Sequence, residues 1–407
     1  MTTPPSTRTP PRARARALAA LLLVGCLALG GCSPFGSDGQ EVDLVAGGGD
    51  QTAATGGAAD ARLDATTLVD MAAAADGTVR VLATTADGPV LWTVSPQVAL
   101  RRTPLAGLEG SPTQMAVDAG GAVLVVTGQP GVWRVDERGT ASQVVGDGRR
   151  GWSPDGTPAG GAALGLVGAV AAGPGGELYF AEQTSDPGSA TVVRVVQADG
   201  TLRTVAGTRQ VPADEHERQR AIAAGLKPAA GTPATDVLLF DATQRALAVG
   251  GDGTLYLTTR GGVLAVRDGK ASPVLAPEPP GGDAVAAKPF EREAQASQVG
   301  VDLAGPQRPD LAVDPDGNLY LAQQALEDEV PEAFRWTGDL GDAGAPARSL
   351  ADGTVRYRVR RITPGGEVST AAWGAGEVAA AGDRLYLAAL PADGRALVVS
   401  LRPPPPS

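Results

Sequence analysis

The chain has 407 residues and a formal net charge of −11, with 43% hydrophobic and 4% aromatic residues. The acidic balance excludes the broad basic surface that attracts nucleic acids or anionic lipids. One histidine and two cysteines are too few for a multi-histidine metal site or a zinc cysteine cluster. The 56 glycines and 33 prolines favour many tight turns, and therefore many short strands.

Residues 1–31 are predicted to be a lipoprotein signal peptide. Four arginines (Arg8, Arg12, Arg14 and Arg16) precede an apolar run over residues 17–29, which is too short for an ordinary spanning helix. The run ends in Leu-Gly-Gly-Cys at residues 29–32, which resembles the lipobox of bacterial lipoproteins and implies lipidation of Cys32. A nested match ending at Cys26 and a plain signal peptide are the alternatives.

Cleavage before Cys32 changes the net charge from −11 to −15, because four arginines and no acid are removed. No thiol remains except the lipidated one, so the mature chain has no intrachain disulfide. Residues 32–40 are predicted to be a flexible tether. We expect the protein on the extracytoplasmic face of the cell membrane, held there by its lipid.

Apolar hairpins recur along the chain and decide the predicted fold. The clearest copy, Asp310–Ala322, has an apolar strand, a tight turn at Asp316-Gly317 and a second apolar strand. Five further copies share the pattern, at Met71–Leu82, Met115–Val126, Val170–Ala181, Leu247–Leu257 and Val378–Ala388. Four of the five tyrosines occupy one repeat position, each after a leucine: Tyr179, Tyr256, Tyr320 and Tyr386.

A third and a fourth strand follow each hairpin. The third alternates, as in Val132–Val135, and the fourth is clearest in Thr201–Gly207. Four antiparallel strands in each of six repeats predict an all-β fold, a six-bladed propeller over residues 41–402. Because the sixth repeat lacks a clear fourth strand, residues 41–47 are predicted to supply it and close the ring. A proline-rich tail, 403–407, follows.

These hairpins and the loops between them resemble NHL-repeat β-propellers, in particular bacterial members of that family. The resemblance is carried by the strand Thr201–Gly207, the loop Gly151–Ala159, the segment Gly231–Thr235 and hairpins such as Leu311–Ala322. It covers about residues 41–402 and implies a six-bladed propeller.

Catalytic propellers of similar architecture, such as streptogramin lyases and sugar lactonases, place histidines or carboxylates around the central channel. In this chain Asp70 and Asp310 occupy equivalent positions at the start of the innermost strands of blades 1 and 5. They are candidate ligands for a divalent cation, with capping or solvated roles as the competing interpretation. His216 lies in a charged segment and is interpreted as solvated. No other cofactor is indicated.

Long connections are predicted on one face of the propeller, at residues 47–67, 146–166, 183–190, 208–243, 276–306 and 323–355. Long loops on a rigid scaffold commonly bind ligands. The candidate binding residues on this face are aromatic: Trp152, Phe334, Trp336 and Trp373. The alternative is that each packs its own loop. Charge and proline content predict partial disorder for 208–243 and 323–355, and no long helical pattern follows residue 31.

Three functional hypotheses follow. The first is a binding or scaffold module whose loop-rich face takes a protein, peptide or envelope glycan, with no enzymatic activity. The second is an enzyme of the lyase or lactonase kind, with a carboxylate-bound divalent cation in the channel. The third is an envelope sensor subunit that signals through a partner, by fold-level analogy with NHL sensor domains.

The lipidation site is testable by intact-mass spectrometry of the protein made in a bacterium that processes lipoproteins. We expect Cys32→Ala to abolish the mass increment of the diacylglycerol, and Cys26→Ala to leave it unchanged, because only the cysteine after the cleavage site is modified. An unchanged increment in Cys32→Ala would exclude this site.

Overall fold

The computed structural model describes residues 40–51, 57–97, 99–184, 190–240, 246–277, 290–296, 299–301, 303, 308–324, 336–337, 357–390 and 394–404. These residues form six mainly antiparallel sheets arranged as the blades of a six-bladed propeller, as the repeats predict. A separate two-stranded parallel sheet pairs Gln40–Glu41 with Trp336–Thr337. Cys26, Cys32 and the predicted signal peptide lie outside the described residues. No helix in the described part of the chain combines the length and apolarity needed to cross a membrane.

The chain enters the fold through β1 (Gln40–Glu41) and β2 (Asp43–Ala46). Blades 1 to 3 then each add four strands in succession from the channel outward. They are β3 (Thr67–Ala73), β4 (Val79–Thr85), β5 (Gly88–Val94) and β6 (Leu100–Pro104); β7 (Gln114–Val117), β8 (Val123–Val126), β9 (Val132–Val135) and β10 (Ala141–Val145); and β11 (Leu166–Ala172), β12 (Leu178–Gln183), β13 (Ala190–Val196) and β14 (Leu202–Ala206).

The second half of the ring repeats this plan with short additional strands. The connection to blade 4 carries helix α1 (Glu215–Leu226), β15 (Thr232–Pro233) and β16 (Leu239–Phe240). The remaining strands are β17 (Leu247–Val249), β18 (Leu255–Thr259), β19 (Gly262–Arg267) and β20 (Lys270–Pro277); β21 (Arg292–Gln295) and β22 (Gly300–Val301); β23 (Asp310–Val313), β24 (Leu319–Gln324), β25 (Trp336–Thr337), β26 (Tyr357–Ile362) and β27 (Glu367–Trp373); and β28 (Glu377–Ala381), β29 (Arg384–Ala389) and β30 (Leu397–Leu401). Of the short strands, β15 and β22 extend blade 4 at β20, β16 pairs with β13 of blade 3, and β21 pairs with β27 of blade 5.

The hairpin turns are fixed by aspartates that bind the backbone of their own turn. The Asp118 carboxylate accepts hydrogen bonds from the N–H groups of Gly120 and Ala122, at 3.0 and 2.8 Å. Asp314 accepts one from the Asn318 N–H at 2.8 Å. Gly317 in that turn has a φ of +81°, a conformation that glycine adopts without strain. This Asp-Gly chemistry is the signal from which the hairpins are predicted.

Six apolar clusters hold the propeller together, and each lies between two neighbouring blades. The cluster between blades 6 and 1 joins Tyr386 and Val398 to Met71 and Trp92. Six blades have six such interfaces only when the ring is closed, so blade 6 packs on blade 1. Both faces of each blade are therefore buried, which explains why the strands are apolar on both faces.

Blade 6 takes its outermost strand from the beginning of the described chain. Strand β2 pairs antiparallel with β30, with Asp43 opposite Ser400 and Leu44 opposite Val399. A glycine is required directly after β2, because a Cβ on Gly47 would lie 2.1 Å from a backbone carbonyl oxygen.

Two details differ from the sequence predictions. The expectation of no long helix after residue 31 is wrong, because α1 lies within 208–243. Asp214 caps it by accepting a hydrogen bond from the Glu217 N–H at 2.9 Å, and acidic residues occupy its first turn. The last residue of the predicted tether, Gln40, belongs to the fold, since it pairs with Trp336.

The proline-rich tail contacts blade 5. Arg361 Nη1 donates to the Pro404 carbonyl at 2.7 Å.

Deleting residues 41–47 removes the outer strand of blade 6 together with buried Val42 and Ala46, which belong to two different clusters. We expect the melting temperature to fall by roughly 5–10 °C, from a loss of several kcal/mol, as measured by circular dichroism. The matched control deletes residues 33–39 of the predicted tether. Equal melting temperatures in the two deletions would contradict a structural role for β2.

Candidate cation site at one end of the channel

The six innermost strands, β3, β7, β11, β17, β23 and β28, line a central cavity of about 140 Å³. One lining position is alanine in every blade: Ala72, Ala116, Ala171, Ala248, Ala312 and Ala379. Two residues before it stands a polar side chain in four blades: Asp70, Gln114, Asp310 and Glu377. Gln114, Asp310 and Glu377 are the first residues of their inner strands, whereas β3 begins three residues before Asp70. All four polar groups lie toward the channel end that receives the connections between blades.

Three carboxylates meet at this end of the channel. Asp70, Asp310 and Glu377 each place one oxygen so that the three oxygens lie within 4.8 Å of one another. They come from blades 1, 5 and 6, which are consecutive around the ring. Asp70 and Asp310 are 4% and 8% exposed, and Glu377 is half-buried. The channel end is thus acidic along one half of its rim.

The two aspartates also join neighbouring blades. Asp70 accepts hydrogen bonds from its own neighbour, the Met71 N–H (2.7 Å), and from the Met115 N–H of blade 2 (2.6 Å). Asp310 does the same with the Leu311 N–H (2.7 Å) and the Val378 N–H of blade 6 (2.8 Å). The capping role considered for these residues is therefore present in the fold.

Gln114 makes the corresponding bond from blade 2, since its Oε1 accepts from the Val170 N–H of blade 3 at 2.8 Å. Glu377 occupies the same position in blade 6, but its carboxylate accepts no hydrogen bond within the described part of the chain. Among the three carboxylates, that of Glu377 has the most free positions for accepting a hydrogen bond.

Arg308 supplies the positive charge of the site. Its Nη1 donates to the Thr113 carbonyl and its Nη2 to the Gly168 carbonyl, the latter at 3.1 Å. The guanidinium also interacts electrostatically with Asp70, Glu377 and Asp310. With all groups ionised, three negative charges therefore face one positive charge.

Burial is the main influence on the acidity of the three carboxyl groups. It raises the pKa of Asp70 to about 7, although the N–H groups of Met115 and Met71 and the Arg308 charge act in the opposite direction. Burial also raises the pKa of Asp310 and Glu377 well above the usual range of carboxylic acids, and the neighbouring carboxylates raise it further. The site holds protons near neutral pH unless another cation replaces them.

The sequence placed Asp70 and Asp310 at equivalent repeat positions, and the structure brings them together. Glu377 was not predicted, although it occupies the same repeat position. It stands directly before Val378, as Asp310 stands directly before Leu311. Arg308 was not predicted either. No local pattern identifies that residue, since its carbonyl partners are 195 and 140 residues away in the chain.

The four aromatic residues predicted for the binding face lie in different environments. Trp373 does not belong to a loop: it ends β27, pairs with Arg358 and is 2% exposed, so its proposed place on a binding face is wrong. Trp152 is half-buried, with the guanidinium carbons of Arg194 and Arg209 at 4.5 and 4.1 Å from its ring centroid. Phe334 lies outside the described residues, and for Trp336 only the backbone, in β25, is described.

The one histidine of the chain lies in a different environment from the channel carboxylates. His216 is exposed on α1, in agreement with its interpretation as a solvated residue. Histidine ligation therefore plays no part in the channel site, whose described polar groups are carboxylates, an amide, a guanidinium and backbone groups.

Comparison with known proteins yields structural similarity and no sequence family. No protein-family model and no curated protein matches the chain. A calcium-binding protein, regucalcin from Agrobacterium tumefaciens, is 12% identical with a TM-score of 0.43, covering 90% of this chain and 95% of that one. Virginiamycin B lyase from Staphylococcus aureus is 11% identical with a TM-score of 0.42, covering 83% and 97%.

A gluconolactonase from Xanthomonas campestris is 15% identical with a TM-score of 0.40, covering 84% of this chain and 88% of that one. These neighbours belong to six-bladed propeller proteins of the lactonase and lyase kinds. At such identities and TM-scores the similarity assigns no activity, ligand or residue role to this chain. The narrower resemblance to NHL-repeat proteins stays a prediction.

The raised pKa values of the three carboxyl groups predict how the stability of the fold depends on pH. A carboxyl group with a raised pKa in the folded state stabilises the fold while protonated, and that stability is lost as pH rises from about 4.5 through its folded pKa. In chelator, we therefore expect Glu377→Gln to match the wild type near pH 4. At pH 8 the variant should melt roughly 1–3 °C higher, because it lacks one partly buried charge that repels two neighbouring carboxylates.

Thermal unfolding followed by circular dichroism from pH 4 to 8 measures this difference. The exposed Glu109→Gln is the matched control and should follow the wild type throughout. A constant difference between Glu377→Gln and the wild type at all pH values would contradict a buried charge at this position.

Proposed function

We propose that this chain is a lipid-anchored extracytoplasmic propeller that binds a divalent cation at the loop-side end of its channel. The observation that carries the proposal is the charge imbalance of the site, where three clustered carboxylates face the single cation Arg308. Excess buried negative charge is unfavourable unless it is neutralised by protons or by a bound cation. A divalent ion is the ligand that matches the excess of two charges.

The donor atoms favour a hard cation. All three side-chain ligands offer oxygen, which suits Ca²⁺, Mg²⁺ or Mn²⁺ and not the metals that prefer nitrogen or sulfur. Oxygens on opposite sides of a Ca²⁺ ion lie about 4.6–5.2 Å apart, and the three candidate oxygens lie within 4.8 Å of one another. Little rearrangement is needed for Ca²⁺ binding.

The hydrogen bonds of the aspartates leave room for a metal bond. Each oxygen of Asp70 and Asp310 accepts one backbone N–H, while a carboxylate offers about four lone-pair directions in total. The same bonds hold the carboxylates in place. Glu377 is the ligand that turns towards the ion most freely, because no described hydrogen bond fixes it.

The size of the cavity favours an ion over an organic substrate. Sites for small organic ligands usually enclose about 300–1,000 Å³, whereas the channel cavity has about 140 Å³. Asp70 and Asp310 line this cavity, so the space beside two of the three carboxylates is smaller than a usual site for an organic ligand. Ion binding is therefore better supported there than turnover of a sugar lactone or a cyclic peptide.

The alternative role, capture of a protein, peptide or glycan by the loop-bearing face, has less support from the described residues. Of the four aromatic candidates, Trp152 is the one whose described side chain retains partial exposure, and two guanidinium groups lie against it. Trp373 is buried. The channel end thus offers the stronger ligand site.

Calcium titration tests the proposal. At pH 8 and a Ca²⁺ concentration about 100 times the dissociation constant, linkage gives about 2.7 kcal/mol of added stability. We expect the melting temperature to rise by roughly 3–5 °C, as measured by circular dichroism after chelation. The rise should disappear at pH 5, because protons occupy the same oxygens.

The variants Glu377→Gln and Asp310→Asn should lose this response, while the surface control Glu109→Gln keeps it. No calcium response in the wild type, or an equal response in Glu377→Gln, would overturn the proposed function.

A further inference from the structure

Arg308 stands two residues before β23 and reaches across the channel end. Its two terminal nitrogens bind the carbonyls of Thr113 and Gly168, which belong to the inner edges of blades 2 and 3. The three carboxylates come from blades 5, 6 and 1. One half of the rim is therefore acidic, the other half offers carbonyl oxygens, and the guanidinium interacts with both.

The two carbonyls that Arg308 covers are chemically suited to a metal ion. Backbone carbonyls are common partners of carboxylates around Ca²⁺. Gly168 lies in a β-bulge, where the register between β11 and β12 shifts between Val167 and Ala169. A bulge residue is left out of the regular hydrogen-bond ladder, so its carbonyl is directed to a partner other than the neighbouring strand.

We infer that Arg308 is a tethered cation that competes with the diffusible cation and thereby lowers the affinity of the site. This inference rests on the proposed function. Arg308 offsets part of the carboxylate charge when the metal is absent, and it covers two oxygens that a metal would use. A dication entering the site meets the repulsion of the guanidinium or displaces it from the carbonyls. The site then responds only to high cation concentrations.

The comparison of Arg308→Gln with the wild type tests the inference, with Ca²⁺ affinity measured by isothermal titration calorimetry on the full chain in mild detergent. We expect binding to be at least about tenfold tighter in Arg308→Gln, because a full positive charge beside the ion is removed. Arg308→Lys retains the charge but cannot bind both carbonyls, so its affinity should lie between those of the wild type and Arg308→Gln. The surface variant Arg134→Gln controls for net charge and should also bind like the wild type.

The outcomes separate this inference from the proposed function. Tighter binding in Arg308→Gln than in the wild type, with no such change in Arg134→Gln, supports the inference. Unchanged or weaker binding in Arg308→Gln, with binding retained in the wild type, overturns the inference and leaves the proposed function standing. Absence of binding in every variant overturns both.

A second measurement guards against misfolding of the variant. In chelator, Arg308→Gln should show the near-ultraviolet circular dichroism spectrum and the single cooperative unfolding transition of the wild type. If it does not, Arg308→Lys carries the test, because it keeps a cation but cannot bind both carbonyls. Binding no tighter than in the wild type would then contradict the inference.

Discussion

The burial of apolar side chains on both faces of every blade is the constraint on which the structure depends. A sheet that is apolar on both faces is stable only between two neighbours, and the hydrophobic gain is proportional to the area covered. The six interblade clusters meet this requirement around a closed ring. Packing near the axis is a second constraint, because the converging inner strands leave room there for little more than a methyl group. Every inner strand accordingly has an alanine at one lining position.

The same convergence creates the chemistry of the channel end. Asp70 and Asp310 join their blades to the next ones through backbone hydrogen bonds, as Gln114 does with its amide oxygen. Because inner strands meet at the axis, carboxylates that serve different interfaces are brought together. The structural hydrogen bonds and the proposed ion site thus share the same side chains, and removing an aspartate alters both. Glu377, which makes no such bond among the described residues, separates the two effects experimentally.

The fold was largely predictable because its signals are local. A tight glycine-containing turn between two apolar strands specifies a hairpin, and six such hairpins, three of them with an Asp-Gly turn, specify the propeller. Helix α1 had a local signal too, since Asp214 is a capping residue followed by acids in the first turn, but the surrounding charge and proline concealed it. Trp373 was misplaced because the end of a strand depends on pairing with Arg358, which lies in the preceding strand.

The site was predictable only in part, for the same physical reason. Repeat positions identify Asp70, Asp310 and Glu377, since equivalent residues of a ring lie around one axis. Arg308 lies outside the repeated hairpins, and its contacts are made across the channel with residues of other blades. No pattern of spacing encodes such a contact.

The pairing of β2 with β30 has a consequence for synthesis of the chain. Strand β2 leaves the ribosome early, and its partner Ser400 follows roughly 350 residues after Asp43. At about 5–20 residues per second, β2 waits for roughly 20–70 s without its partner strand. Until then its apolar residues and open backbone edge lack their partner strand, so the ring closes only after the last strand has been made.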